Sequence, residues 1–404
     1  MPTLLQINVD ANNGSNGAIA RDLGTLVMRN GWNSYIAFGR SAIPSTSTLI
    51  KVGGKLNVLF HVVISRVFDN HGLLSRIATK RFIRQIKSIK PDIVHLHNIH
   101  GYYINYRLLF HFLKETGIPV VWTLHDCWPY TGHCSHFISA NCNRWKDGCS
   151  HCPLKSHYPK SILFDSSARN YRIKKAVFTS LPNMVITTVS QWMGEQASCS
   201  FLNKYPILVI KNGIDTTVFR YTQSDVKDRY RITAKYLLLG VAANWSRSKG
   251  LYDYYELQKK LSGHFQIVLI GLTPSQIDVL PNGIIGIKRT ENLKELVHFY
   301  SAADVVLNLS YAESFGLTTI EGMACGTPGI VYDNTASPEL VSPETGIVVQ
   351  TGNIELVAQA VYDITAKGKD YYKEKCTMRA HNMFDKDIIY SQYYQVYCNL
   401  LKHN

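Results

Sequence analysis

The chemistry in this chain concentrates in one stretch, Glu313 to Pro328. It begins Glu313-Ser314-Phe315-Gly316-Leu317 and places a second acid at Glu321. The apolar run Ala303–Ser310 precedes it, and the shorter run Gly329–Tyr332 follows it. The pattern is strand, loop, helix, strand, a βαβ crossover. Gly316 allows close approach of backbone to a ligand, and the first N–H groups of the helix face an anion. Glu313 stands before that anion site and Glu321 inside the first two turns of the helix. Carboxylates on both sides of a phosphate cradle suit a ligand that carries hydroxyls as well as phosphate. A nucleotide sugar is such a ligand.

A second segment, Gly240–Gly250, also follows a strand and precedes a helix, and it carries Arg247 and Lys249. Paired cations stabilise the charge that develops on a departing nucleotide diphosphate; two solvated loop cations are the plainer reading. A third loop, Asn12–Gly17, is glycine-rich and opens a helix, so Asn16 and Gly17 could face a phosphate or an acceptor. A simple tight turn explains it equally well. It lacks GxGxxG and a later acidic partner, which disfavours a nicotinamide dehydrogenase. His95 and His97 close one strand and His125-Asp126 another, with His100 shortly after the first. A structural role suits His95, and His97 and His100 suit the acceptor side. Cys134, Cys142, Cys149 and Cys152 fall within residues 126–165. Four thiolates around a structural zinc, free thiols and disulfides are the three alternatives for them.

These residues need a scaffold that sets loops at strand ends. A chain of 404 residues favours two domains. Short apolar runs alternate with amphipathic ones throughout, which predicts parallel sheets covered on both faces. Strands are expected at Leu4–Val9, Ser34–Phe38, Ile93–His97, Val120–His125, Val185–Val189 and Ile207–Lys211. After a turn at Asn212-Gly213 the alternation restarts with Tyr236–Val241. The expected division is 1–205 and 206–386, with an irregular insert at 126–165. An aromatic C-terminal helix, 387–404, is expected to pack back on the first domain. Ligands in such folds bind at the carboxyl ends of strands, here in a cleft between the two domains.

No run approaches the ~20 apolar residues of a membrane span, and the first strand follows Met1 directly, so a cytoplasmic protein is expected. The charge is uneven. Up to residue 205, 23 Lys and Arg stand against 9 Asp and Glu, a net +14; from 206 onward 20 stand against 20. Solubility accounts for this excess, and so does an anionic partner such as a membrane leaflet, a lipid-linked phosphate or nucleic acid. The helices around 75–90 and 165–181, the latter with Arg169, Arg172, Lys174 and Lys175, would present it.

Taken together, Glu313 and Glu321 with Phe315-Gly316, then Cys325-Gly326-Thr327-Pro328, Lys249-Gly250 and Asn212-Gly213-Ile214-Asp215, resemble family 4 of the retaining glycosyltransferases. The likeness runs over nearly the whole chain. It implies the GT-B fold, α/β with two doubly wound Rossmann-like domains facing across a cleft. It implies metal-independent transfer of a sugar from a UDP-, GDP- or ADP-linked donor to a glycan or lipid-linked acceptor. It gives Glu313 the sugar contact, Glu321 the ribose hydroxyls, and the amides of Ser314, Phe315, Gly316 and Leu317 the diphosphate. It makes His125 a contact to the transferred sugar, with Asp126 beside it. Where the family carries an arginine this chain has Asn244, so Arg247 is the substitute cation. Inserts like 126–165 occur in relatives that assemble capsule and exopolysaccharide, and this one could shape the acceptor pocket. The expected place is the inner face of the membrane, met by the basic first domain, with no nucleic-acid partner. A sugar-nucleotide epimerase of the same fold and a non-catalytic sugar- or nucleic-acid-binding protein are the alternatives.

Overall fold

A computed structural model describes residues 1–402. Its first sheet contains β1 (Thr3–Asn8), β2 (Asn33–Phe38), β3 (Thr48–Lys51), β4 (Ile93–Leu96), β5 (Val120–Leu124), β6 (Met184–Thr188) and β7 (Ile207–Val209), in the order β3-β2-β1-β4-β5-β6-β7. Its second contains β8 (Tyr236–Val241), β9 (Phe265–Ile270), β10 (Ile284–Ile287), β11 (Val305–Asn308), β12 (Gly329–Tyr332) and β13 (Gly346–Val349), in the order β10-β9-β8-β11-β12-β13. Every pairing is parallel. The strands explain why: all six residues of β1 are buried, as are the four of β4, β11 and β12 and the five of β5. Strands covered on both faces need apolar residues at successive positions, and helices must provide the cover.

The first sheet is covered by α1 (Gly14–Arg29), α2 (Lys55–Phe68), α3 (Arg76–Ile89), α4 (Tyr106–Thr116), α5 (Ser167–Phe178) and α6 (Gln191–Ser198). The second unit has α7 (Val226–Arg229), α8 (Leu251–Lys260), α9 (Pro274–Ile277), α10 (Leu293–Ala302), α11 (Leu317–Ala324), α12 (Ile354–Lys367) and α13 (Lys369–Phe384), and α14 (Lys386–Lys402) ends the chain. The compact units are Met1–Lys211 with the segment from Tyr390 onward, and Asn212–Ile389. Among the described residues no helix is long and apolar enough to cross a membrane.

Three features differ from or add to the sequence expectation. β7 pairs with β6, Ile186 opposite Ile207, so the first unit runs to Lys211 rather than stopping at 205. Between Phe38 and Ser75 the structure adds β3 and α2, for which the alternation gave no signal. Lys174 is buried: its Nζ donates to Trp128 O at 2.7 Å and Thr131 O at 3.0 Å and lies 3.5 Å from the Trp128 ring. It therefore offers no charge to a partner, and burial pushes its ammonium down to about 7. From Tyr390 onward α14 does pack on the first unit. Tyr397 Oη and His95 Nδ1 lie 2.6 Å apart, Thr123 Oγ1 donates to Tyr393 Oη at 3.2 Å, and Trp32 meets the Tyr394 ring at 5.6 Å. His95 is thereby structural.

Candidate active site

In each sheet the strand order reverses once, between β1 and β4 and between β8 and β11. Connections leave such neighbours in opposite directions and open a crevice at their carboxyl ends. The expected site residues follow these strands.

In the second unit, the loop after β8 carries Asn244, Arg247 and Lys249, and the loop after β11 carries Glu313 to Gly316. Gly250 holds φ +71°, and a Cβ there would lie 2.0 Å from Leu309 O. Only glycine lets the first loop rest on the end of β11. Tyr311 N donates to Ser248 O at 2.8 Å, which joins the two loops. The outcome is an ion pair, Lys249 Nζ to Glu313 Oε1 at 2.5 Å. A third loop braces it. Glu313 N donates to Thr335 Oγ1 at 2.9 Å, and Asn334 Nδ2 donates to Tyr311 O at 2.7 Å. Thr335 holds φ +54°, an unfavourable conformation for a β-branched residue that the surrounding contacts impose.

Gly316 begins α11 at φ +105° with no side-chain cap. A Cβ there would stand 2.9 Å from Leu340 Cδ1. Gly316 O accepts from Thr319 N at 3.1 Å, while the N–H groups of Leu317 and Thr318 have no preceding helical carbonyl to reach. Donors and helix dipole both favour an anion at this end. The Phe315 ring is buried against Phe384 at 6.0 Å, so its backbone alone can serve a ligand. Ser314 and Leu317 are half-buried. Glu321 lies one turn further in and accepts from Tyr300 Oη at 2.8 Å. Burial pushes its carboxyl up to about 7, against the opposing pull of that hydrogen bond. Asn244 and Arg247 are exposed. Arg247 lines a recess of about 470 Å³ with Tyr252, Asp253 and Tyr311.

In the first unit the carboxyl ends of β4 and β5 carry a hydrogen-bonded series. Gln6 Nε2 donates to Ala20 O at 2.7 Å, so Gln6 Oε1 is an acceptor. His97 Nε2 lies 3.1 Å from that oxygen and must carry the proton. Burial, and then His95 and His125, hold His97 well below its usual range, so it is neutral and its Nδ1 is an acceptor. His125 Nε2, 3.1 Å from that Nδ1, therefore carries a proton in turn. Burial pushes His125 down to about 4, outweighing the pull of Asp126. Its Nδ1 is left with a lone pair and no protein partner. The series presents a neutral imidazole that accepts a hydrogen bond.

Asp126 is engaged elsewhere. Its Oδ2 lies 2.8 Å from His100 Nε2, and its Oδ1 accepts from Trp128 N at 2.9 Å. Burial raises its carboxyl, but His100 above all brings it down to about 2. His100 Nδ1 lies 3.1 Å from Tyr158 Oη. Gly17 sits in the first turn of α1, where its carbonyl accepts from Asn12 N at 3.2 Å and a Cβ would meet that nitrogen at 3.0 Å. It closes the loop on its own helix, with Asn16 half-buried beside it.

Cys134, Cys142, Cys149 and Cys152 do converge, lining one cavity of about 10 Å³. All four are free thiols. Cys134 and Cys152 hydrogen-bond to each other, and Cys149 Sγ accepts from Gly132 N at 3.1 Å. Among the described residues no group of three or more His, Cys, Asp or Glu is arranged to hold a metal ion.

Gln6, Tyr300 and Thr335 were absent from the sequence reading. Gln6 had a signal, a lone polar residue inside the apolar run Leu4–Val9. Tyr300 and Thr335 had none, since each acts on a residue more than a turn away through the fold.

Comparison with known proteins adds the family. Residues 29–218 match the family model described as Glycosyltransferase Family 4, and residues 237–367 match that described as Glycosyl transferases group 1. Over 402 residues the chain is 23% identical to the putative colanic acid biosynthesis glycosyl transferase WcaC of Escherichia coli K12, covering 90% of this chain and 93% of that one. Sucrose-phosphate synthase from Thermosynechococcus elongatus superposes with a TM-score of 0.75 at 17% identity, each chain covered in full. HepE from Anabaena, in complex with UDP, gives 0.69 at 14% identity, with 99% of this chain and 100% of that one covered. At these identities the solved structures establish the fold, two doubly wound α/β units. The family models establish kinship, one over most of the first unit and one within the second: the chain belongs to family 4 of the glycosyltransferases.

Proposed function

We propose that this glycosyltransferase is retaining and metal-independent, and that it moves a sugar from a UDP-linked donor to a lipid-linked glycan acceptor. The reaction would serve surface polysaccharide synthesis at the cytoplasmic face of the membrane. The observation that carries the donor reading is the Lys249–Glu313 pair at the uncapped start of α11, with Glu321 one turn behind it. A bound diphosphate would accept from the amides of Ser314 to Leu317 and draw Lys249 away from Glu313, with Arg247 as a second cation. The freed Glu313 carboxylate would then face hydroxyls of the sugar, and Glu321 those of the ribose. Two cations and a helix terminus offset the charge that grows on the leaving phosphate. His125, accepting through Nδ1, is the proposed sugar contact of the first unit. Neither glutamate is assigned as a nucleophile; the departing phosphate takes the acceptor proton. The UDP complex of HepE supports the choice of base, and the name of WcaC supports the polysaccharide context.

A thermal-shift series with UDP-, GDP- and ADP-sugars tests the donor, and NMR of the product anomer tests retention. A larger shift with a GDP- or ADP-sugar would overturn the uridine assignment. An inverted anomer would overturn retention, and turnover abolished by EDTA would overturn metal independence. No shift and no turnover with any donor would sink the enzymatic reading.

A further inference from the structure

Helix α2 buries polar residues and exposes large apolar ones. Its two fully buried residues are His61 and Ser65, and Val58 packs half-buried against the core. His61 is held at both ring nitrogens: Nδ1 lies 2.7 Å from Ser75 Oγ, and Nε2 accepts from Gly72 N at 3.1 Å. Asn57 Nδ2 donates to the same Ser75 hydroxyl at 3.0 Å. The opposite face is apolar and lies in solvent. Leu56 is 82% exposed, Leu59 59%, Phe60 61% and Val63 50%. These positions follow i, i+3, i+4 and i+7, so they form one stripe. At the end of the helix the stripe runs on into exposed Phe68, whose ring stacks on exposed Phe164 at 5.5 Å and 8°. Phe164 N donates to Val67 O at 3.1 Å and Ile162 N to Arg66 O at 2.6 Å, which fixes that loop to the helix. A surface helix normally turns its stripe inward; a contiguous apolar patch in solvent marks a surface that meets something.

The charge around the stripe says what. From Lys51 to Lys90 there are nine Lys and Arg and a single acid, Asp69. That acid is buried, 2.7 Å from His133 Nδ1. Helix α3, tied to α2 through Ser75, turns Arg76, Lys80, Arg81, Arg84 and Lys87 outward. An apolar stripe rimmed by cations matches the layering of an anionic bilayer, acyl chains beneath headgroup phosphates. A second copy of the chain would set the same positive rim against itself.

We propose that α2 lies in the interface of an anionic bilayer. Leu56, Leu59, Phe60 and Val63 sit below the headgroups and the cations of α3 rest on them. This deepens the membrane part of the function proposed above by naming the surface and the lipid chemistry. The test is co-sedimentation of the full chain with phosphatidylcholine vesicles and with phosphatidylcholine–phosphatidylglycerol vesicles, at low and high salt. Two variants accompany it, L59S/F60S and R84E/K87E; each alters exposed side chains alone, and an unchanged melting temperature checks the fold. The unaltered chain should bind the mixed vesicles and weaken with salt. L59S/F60S should lose binding by tenfold or more, on the order expected for two partly inserted side chains. R84E/K87E should lose the salt-sensitive part. No binding of the unaltered chain to mixed vesicles at low salt overturns the proposal, as does unchanged binding by L59S/F60S. A dimer that L59S/F60S dissolves, with vesicle binding intact, assigns the stripe to a second copy and also overturns it. No donor enters this assay, so its failure leaves sugar transfer standing, whereas a failed donor screen leaves the membrane surface standing.

Discussion

Replacing Glu321 by Gln separates stability from binding in a way that few substitutions can. The carboxyl is carried from an ordinary 4.5 to about 7 by burial. That shift corresponds to about 3 kcal/mol against the ionised form, an order-of-magnitude figure. In the folded chain the proton is kept up to about 7, whereas the unfolded chain loses it near 4.5. Stability therefore falls as pH rises between those values and stays low above them. Glutamine cannot ionise and keeps the acceptor for Tyr300 Oη. The variant should melt several degrees higher at pH ~8 and lose that part of the pH slope. Donor binding should move the other way. A carboxylate that accepts from ribose hydroxyls must be ionised, so affinity should weaken about tenfold from pH ~8 to pH ~6. UDP-glucose suits the titration, because its diphosphate has no group that titrates in that range. Calorimetry on the unaltered chain and on E321Q reads both effects. A pH-independent affinity in the unaltered chain, or E321Q binding as tightly as it does at pH ~8, would refute the ribose assignment.

Three further outcomes are expected. Lys249→Ala and Glu313→Ala should each lower kcat by about 10²–10³-fold; steady-state turnover within threefold of the unaltered rate would remove either residue from the site. Gln6→Leu leaves the His97 Nε2–H unpaired and frees the tautomers of the series; imidazole ¹⁵N shifts should then show His125 Nδ1 partly protonated, with kcat/KM reduced, and an unchanged His125 spectrum would contradict the series. Gly250→Ala drives a Cβ into Leu309 O and should both destabilise the second unit and loosen Lys249, seen as a lower melting temperature with a smaller donor-induced shift.

The alternation of strand and helix was legible because parallel strands buried on both faces read as unbroken apolar runs; Leu4–Val9 and Ala303–Ser310 are clear cases. Thr48–Lys51 was not legible, being a four-residue edge strand exposed at both ends. Neither was α2, whose largest apolar residues, Leu56, Leu59 and Phe60, point to solvent and whose fully buried positions are His61 and Ser65. A pattern search assumes that apolar means inside, and this helix breaks the assumption. In the site, Glu313, Glu321 and Lys249 were legible because each stands in a loop or an early helical turn within three residues of a glycine. What sets their properties was not. Tyr300 reaches Glu321 from α10, Thr335 reaches Glu313 from beyond β12, and Gln6 reaches His97 from β1. Such partners come from a helix, a loop and a strand distant in the chain, so their spacing carries no pattern.

Charge shows the same limit and also what the fold adds. The excess of +14 in the first half is a property of composition, and counting assigned part of it to the helix that contains Lys174. The structure moves that lysine into the core against Trp128 and moves Asp69, the one acid between Lys51 and Lys90, into the core against His133. Removing one cation from α5 weakens the basic surface there. Removing the one acid beside α2 and α3 strengthens it, since every remaining charge in that segment is positive. The region best suited to an anionic surface is therefore the one whose apolar stripe sequence periodicity would have turned inward. Apolar side chains in water carry a standing penalty that a partner surface relieves, and here the neighbouring charge admits an anionic partner and disfavours a second copy of the chain.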